Sequence, residues 1–204
     1  ILAARGPSFC AGADLKLANE GRAAEMSVGE AGFAGFVNAR RRKPWIAAVH
    51  AGAFGGGTEI ALSCDLVVAG AKALFALPEV GHGIIAGAGG SYRIARALPR
   101  ALAIEMLLTG AAISAERAAA FGLANRVVAA GTEVETATEL ALAIARNAPN
   151  AVRESLRIVR AAADGDEKGL AALQAEAIER VLASPNAAEG IRSFVEKRAP
   201  AWVG

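Results

Sequence analysis

Cysteine and histidine are scarce in this chain, and their scarcity excludes several chemistries at once. Only Cys10 and Cys64 occur, with neither metal-ligand spacing nor the density of a disulfide framework, so a reduced, cytoplasmic protein is expected. His50 and His82 are the only histidines, and they lack metal spacing to each other and to the cysteines, so no metal is expected. They also leave a Ser-His-Asp triad little to build on, and there is no Gly-x-Ser-x-Gly elbow. Neither Gly-x-x-x-x-Gly-Lys-Ser/Thr nor Gly-x-Gly-x-x-Gly is present, which removes the common nucleotide fingerprints.

Long apolar runs and one-signed charge are missing as well. No uninterrupted apolar stretch reaches the roughly 18 residues of a membrane span, and no charged leader with a cleavage site is seen. A membrane partner is therefore not expected. A net charge of +2, with no Lys/Arg cluster alternating with aromatics, does not suit nucleic acid either. The one basic run, Arg40-Arg41-Arg42-Lys43, reads first as a helix C-terminus complementing its macrodipole. Its sharper reading is a landing surface for a phosphorylated ligand.

What is present is small and apolar. The 204 residues suit one domain, or one domain with an appendage, and 54% apolar composition is ample for a core. The chain opens on Ile1-Leu2-Ala3-Ala4 without a methionine, which reads as a strand entered partway and leads us to expect residues before it. Residues 1–5, 45–50, 66–69 and 74–77 read as short buried strands. Ser27 and Glu30 have capping-box spacing, which predicts a helix running to Arg42. A short helix is expected from Gly57 or Thr58 to near Cys64, and another from about Ser91. Strands alternating with helices predict an α/β core with mostly parallel pairing.

Beyond residue 90 the pattern changes. Ser114 should cap a segment stopped by Gly122, and residues 125–129 suit a last strand. From Thr132 onward the pattern is helical, with starts at Pro149 and Asn186 and a break at Asp164-Gly165-Asp166. The expected division is an α/β core over 1–130 and a helical region over 131–204, packing on the core or on another subunit.

Two glycine-rich turns, each tied to one glutamate, carry the chemical signal. The first is Gly55-Gly56-Gly57-Thr58-Glu59; the second pairs Pro78-Glu79 with Gly87-Ala88-Gly89-Gly90. Glycine lets backbone N–H groups approach a ligand closely. A carboxylate beside such a turn can move a proton next to a polarised carbonyl. Glu59 also reads as an ordinary first-turn acid, but capping a helix does not require three glycines. Glu79 lies at a strand end, where ligands of α/β sheets bind, or else makes a loop salt bridge. His82, three residues on, either touches the ligand or faces solvent. A third small-residue turn, Phe9-Cys10-Ala11-Gly12-Ala13-Asp14-Leu15-Lys16, can also present N–H groups, with Asp14 as a plain helix N-cap the simpler reading.

Together these motifs resemble the crotonase superfamily, and within it the enoyl-CoA hydratases. Lys43-Pro44-Trp45-Ile46-Ala47-Ala48-Val49, Cys64-Asp65-Leu66, Leu108-Thr109-Gly110, the run Ala120 to Val128 and Phe194-Val195-Glu196-Lys197-Arg198 extend the match along the chain. The resemblance implies a spiral core of repeated ββα units with a C-terminal α-helical oligomerisation region, assembled as a homotrimer or dimer of trimers. It implies that the Ala11 and Gly56 N–H groups form an oxyanion hole, and that Glu59 and Glu79 hold the attacking water between them. It further implies acyl-CoA contacts from Cys10, Ala11, Gly12, Ala13, Asp14, Leu15, Lys16, Gly55, Gly56, Pro78, Gly87 and Lys197, with no cofactor beyond the CoA of the substrate. Lys16 and Lys197 match positions that meet the CoA phosphates and adenine, Lys197 from a neighbouring subunit. Surface charge is the simpler reading of both. Retention of both glutamates favours hydration of a 2-enoyl-CoA to a 3-hydroxyacyl-CoA. An isomerase, a related dehydratase and a catalytically silent acyl-CoA-binding or structural member are the alternatives. Two departures from the family pattern, Ala86 and His50-Ala51-Gly52, are expected to reshape the acyl pocket.

Overall fold

The computed structural model describes residues 1–204. They divide into two units, one of Ile1–Arg41 with Trp45–Thr138, the other of Arg42–Pro44 with Glu139–Gly204.

In the first unit the chain forms β1 (Leu2–Ala3), α1 (Leu15–Asn19), β2 (Ile46–Val49), β3 (Gly52–Phe54) and α2 (Gly56–Ser63). It continues with β4 (Leu66–Gly70), β5 (Leu74–Ala76), α3 (Gly90–Ala97), α4 (Arg100–Thr109), β6 (Ile113–Ser114), α5 (Ala115–Ala120) and β7 (Arg126–Val128). The strands sort into two sheets. One has the order β1-β2-β4-β7 and is parallel throughout; the other has the order β3-β5-β6, with β6 antiparallel. This is the α/β, crotonase-like architecture: β2, β3 and α2 form one ββα unit, and β4, β5 and α3 form the next. Within each unit the first strand joins the larger sheet and the second joins the smaller. Register follows, with Ile46 beside Leu66 and Gly52 beside Leu74.

β2 is buried at all four positions, as expected of a parallel strand covered on both faces. Phe75, Leu77, Ile94, Met106, Val49 and Val68 are the largest fully buried apolar side chains. Thr58, completely buried, ties α2 to β3 and β5 of the small sheet. Its Oγ1 lies 2.7 Å from Ala53 O and 2.8 Å from Ala76 O and accepts the Ala76 N–H at 3.2 Å.

The expected helix from Ser27 to Arg42 does not form. The segment has 3-10 turns at Ala23–Met26 and Gly29–Ala31, then irregular turns. Gly32 (φ 70°) and Gly35 (φ 63°) adopt left-handed backbone, as does Ala34 (φ 55°), whereas a helix needs φ near −63°. With no helix there, Arg40-Arg41-Arg42-Lys43 does not complement a macrodipole of its own. Arg41 instead reaches the far end of α2, donating to Ser63 O and to Phe36 O (3.2 Å), with its guanidinium over the Phe36 and Trp45 rings. The strands are shorter than predicted by one to three residues in several cases, and β3 and α4 were not anticipated.

The second unit is helical. α6 (Glu133–Ala145) enters it, followed by α7 (Pro149–Ala161), α8 (Glu167–Leu182) and α9 (Pro185–Val195). Asp166 caps α8 through Gly169 N–H (2.7 Å), so the Asp164-Gly165-Asp166 break falls where expected. Ser184 rather than Asn186 opens α9. Asn186 is buried and pairs with the Val203 backbone in both directions (2.9 and 2.8 Å), holding the C-terminal tail.

Candidate active site

A cavity of about 430 Å³ opens in the first unit. Ten of the residues singled out from sequence line it: Ala11, Gly12, Ala13, Leu15, Gly55, Gly56, Glu59, Pro78, Glu79 and Gly87. They come from four places: the turn after β1, the N-terminus of α2, the 3-10 turn Pro78–His82, and the turn preceding α3. The strand ends of the two ββα units are what bring them together.

The remaining expected residues lie elsewhere. Cys10 sits one layer behind, its carbonyl accepting Phe54 N–H (2.9 Å) and packing where a Cβ on Gly57 would fall. Asp14 caps α1, its Oδ1 accepting Lys16 N–H (2.9 Å) and Leu17 N–H (3.4 Å), so the simpler reading holds for it. Lys16 is exposed on α1 and outside the lining; Lys197 follows α9 in the second unit. His82 does line the cavity, with Nδ1 3.4 Å from Pro78 O. The two departures do not shape its wall directly. Ala86 is buried beneath the turn, and His50 Nε2 lies 3.0 Å from Gly6 O.

Glu59 is 3% exposed, and its Oε1 accepts Gly90 N–H at 2.8 Å. Burial pushes its carboxyl above the usual range and the Glu79 charge adds to this, while the Gly90 and Ala88 N–H groups and the Arg93 charge pull it back. Burial likewise raises the Glu79 carboxyl, with its own backbone N–H and then the nearby His82 opposing. Glu79 Oε2 is buried with no hydrogen-bond partner. Such an atom costs free energy unless something else satisfies it. Glu79 Oε1 lies 2.9 Å from where a Cβ on Gly55 would stand, so Gly55 is glycine because the carboxylate rests against it.

Two backbone donors belong to residues that line the same cavity. Neither Ala11 N–H nor Gly56 N–H has an acceptor within the chain. Gly12 lies against the start of α2, its missing Cβ position 3.3 Å from Gly56 N. The Gly56 N–H is among the first of its helix, where donors are unpaired and negative charge is favoured.

Sequence reasoning did not find the apolar wall. Met26, Phe33, Val37, Ile84 and Ile85 line the cavity along with Ser27, Asn38 and Tyr92. Phe33 packs on Gly56, its ring 2.5 Å from where a Cβ would be. All but Tyr92, on α3, sit in 3-10 turns or irregular segments without periodicity, so no sequence pattern marks them. No group of three or more His, Cys, Asp or Glu side chains comes together in a way that could hold a metal ion.

Two ββα units whose turns bring two glutamates and the residues of two unpaired N–H groups to one cavity define the class, and comparison with known proteins agrees. The sequence profile of the Enoyl-CoA hydratase/isomerase family matches residues 1–204. The carnitinyl-CoA dehydratase of Proteus mirabilis is 43% identical over 201 residues, covering 96% of this chain and 77% of that protein. The mevalonyl-coenzyme A hydratase of Aspergillus fumigatus is 41% identical over 206 residues, covering 99% of this chain and 76% of that one. A solved enoyl-CoA hydratase from Mycobacterium tuberculosis superposes with a TM-score of 0.93 at 40% identity, covering 99% of this chain and 79% of that one. The chain belongs to the enoyl-CoA hydratase/isomerase, or crotonase, family. Its coarse activity is that of a crotonase-family hydratase or dehydratase acting on acyl-CoA.

Proposed function

We propose that this chain is an enoyl-CoA hydratase, adding water syn across the double bond of a 2-enoyl-CoA to give a 3-hydroxyacyl-CoA. The observation that carries the reading is the pairing of Glu59 and Glu79 on one cavity, with Glu79 Oε2 buried and unpartnered. A water held between the two carboxyls satisfies that atom.

In this mechanism the thioester oxygen accepts the N–H groups of Ala11 and Gly56. Glu59, whose carboxylate is held by the Gly90 N–H, takes a proton from water as its oxygen bonds to the β-carbon. The π electrons move onto the thioester as an enolate, whose charge falls on the two N–H donors. Glu79, favoured in its neutral form by burial, delivers a proton to the α-carbon. One water is consumed and no electrons are exchanged, so the chemistry calls for no cofactor. CoA enters as part of the substrate.

Two features of the proposal rest on the family resemblance: Lys16 and Lys197 as contacts for the CoA phosphates and adenine, and assembly as a trimer or pair of trimers. Exposed Ile191, Phe194 and Val195 on α9 support the assembly. The same site run in reverse dehydrates a 3-hydroxyacyl-CoA, and the 43% identity to a protein named carnitinyl-CoA dehydratase favours that as the second reading.

Crotonyl-CoA hydration by wild type, Glu59→Gln and Glu79→Gln tests the proposal. Each substitution should lower kcat by roughly 10²–10⁴-fold. Turnover that survives both would sink the mechanism, and isomerisation that needs Glu79 alone would replace hydration with double-bond migration.

A further inference from the structure

The turn Gly87-Ala88-Gly89-Gly90 is gripped from two sides. From one side Glu59 accepts Gly90 N–H at 2.8 Å, and a Cβ on Gly90 would stand 2.9 Å from Glu59 Cγ and Oε1. From the other, Arg93 Nη1 donates to Ala88 O at 2.8 Å, and a Cβ on Gly89 would fall into the Arg93 guanidinium. The same guanidinium reaches across to the cavity wall, where Nη2 donates to Val37 O (2.8 Å) and Asn38 Oδ1 (3.1 Å). Val37 and Asn38 line the cavity with Glu59. Their loop is irregular, with left-handed backbone at three of its residues, so it has no helical ladder of its own to fix it. A fork of donors is therefore what joins that loop to the turn that holds the carboxylate.

We propose that Arg93 is a positioning residue for the reaction, setting both the place of the Glu59 carboxylate and the position of the cavity wall opposite it through one guanidinium. It touches neither substrate nor reacting atoms. Two consequences separate this from a staple that only supports the fold. The Arg93 charge acts on Glu59, together with the Glu79 carboxyl on the Pro78–His82 turn and the Ala88 and Gly90 N–H groups of the gripped turn. Loss of that charge shifts the Glu59 titration upward. The fork geometry acts on placement, so a single-point cation at position 93 keeps the charge and loses the alignment.

The inference rests on the hydratase reading for its kinetic arm only, and the titration arm stands without turnover. Full-length Arg93→Lys and Arg93→Met are compared with wild type by crotonyl-CoA kinetics and by carboxyl ¹³C NMR titration of Glu59, assigned with Glu59→Gln. Arg93→Lys should lose roughly ten- to a hundredfold in kcat with KM within about threefold, and titrate Glu59 as wild type does. Arg93→Met should lose at least as much and titrate Glu59 at higher pH. Unchanged kcat in Arg93→Lys overturns the proposal, as does an unmoved Glu59 titration in folded Arg93→Met. Failure of Arg93→Lys to fold also overturns it, by assigning Arg93 to stability alone. A wild type inactive on every enoyl-CoA, combined with the expected titration shift, rejects the hydratase reading and leaves the coupling intact.

Discussion

Glu59 and Glu79 are costly residues to keep, and the cost is measurable. Both carboxyls are pushed up by burial. A carboxyl raised in the folded state contributes stability that is fully present below its unfolded pKa and is lost as pH rises through the folded value. As the pH rises through that value the wild type loses that contribution and takes on the burden of a buried charge. Glu59→Gln removes the titration while its amide oxygen still accepts the Gly90 N–H. We expect its melting temperature to exceed the wild type's near neutrality, with the difference shrinking as the pH is lowered toward 4. A thermal-denaturation series across pH checks this, and a gap that grows toward acid would contradict it. Gly90→Ala tests the close approach itself, because its Cβ would stand 2.9 Å from Ala86 Cβ, Glu59 Cγ and Glu59 Oε1. Overpacking of this kind costs about 1–3 kcal/mol, and displacing a catalytic group by about 1 Å costs roughly a hundredfold in rate. Urea unfolding and kcat/KM measure the two separately. The glutamates and glycines were legible as letters because three successive glycines have no use in capping a helix. Phe33, packed on Gly56 from a loop 23 positions upstream, had no such mark.

Among the elements, the segment from Ser27 to Arg42 is the instructive failure. Its capping-box letters are real, but glycines at 29, 32 and 35 adopt positive φ, and nothing longer than a 3-10 turn forms among them. Local composition outweighed the cap. What replaces the helix is anchorage by side chains, by Arg41 within the segment on Phe36 O and by Arg93 from α3 on Val37 O. The end of α9 shows a second kind of anchorage. Glu189, buried in the second unit, receives Arg198 at 2.6 and 3.0 Å, Arg192, and the Ala201 N–H at 2.8 Å. Its Arg198 partner first, then the Ala201 N–H and Arg192, hold its carboxyl well below the usual range. A depressed carboxyl stabilises above its unfolded pKa, and the contribution is lost as pH falls through the folded value. Glu189→Gln should speed hydrogen exchange at the Ala201 and Val203 amides at neutral pH, and the difference from wild type should close in acid. Equal exchange at neutral pH would show that the Asn186 pair holds the tail without help.

For the molecule as a whole, the apolar exposure of α9 sets the expectation. Ile191, Phe194 and Val195 are exposed by 65%, 85% and 73%, more than lone surface residues of a folded chain usually need. A Phe194→Glu substitution places a charge in the middle of that face. We expect sedimentation to show wild type as an oligomer and the variant as a smaller species with an intact helical spectrum; an unchanged size would locate assembly elsewhere. No helix of the chain is long and apolar enough to cross a membrane. The alternation of short strands and helices gave the α/β class in advance because period and turn chemistry are local properties. The partition of strands between two sheets was not readable, since a three-residue strand such as β3 carries no period.

The letters alone singled out two glutamates, the glycines beside them, the helix break at Asp164-Gly165-Asp166, and N-caps at Asp14 and Ser114. Each follows from residue type and near neighbours in the chain. Only the tertiary structure decided that Glu59 and Glu79, 20 positions apart, share one cavity, and that Glu79 Oε2 is left without a partner there. It alone decided that Arg93 ties Ala88 to Val37, 56 positions from its own place in the chain. The physical reason is the same in each case. Burial, unpaired donors and shifted carboxyls are properties of what surrounds a residue, and in this chain the surroundings come from distant segments.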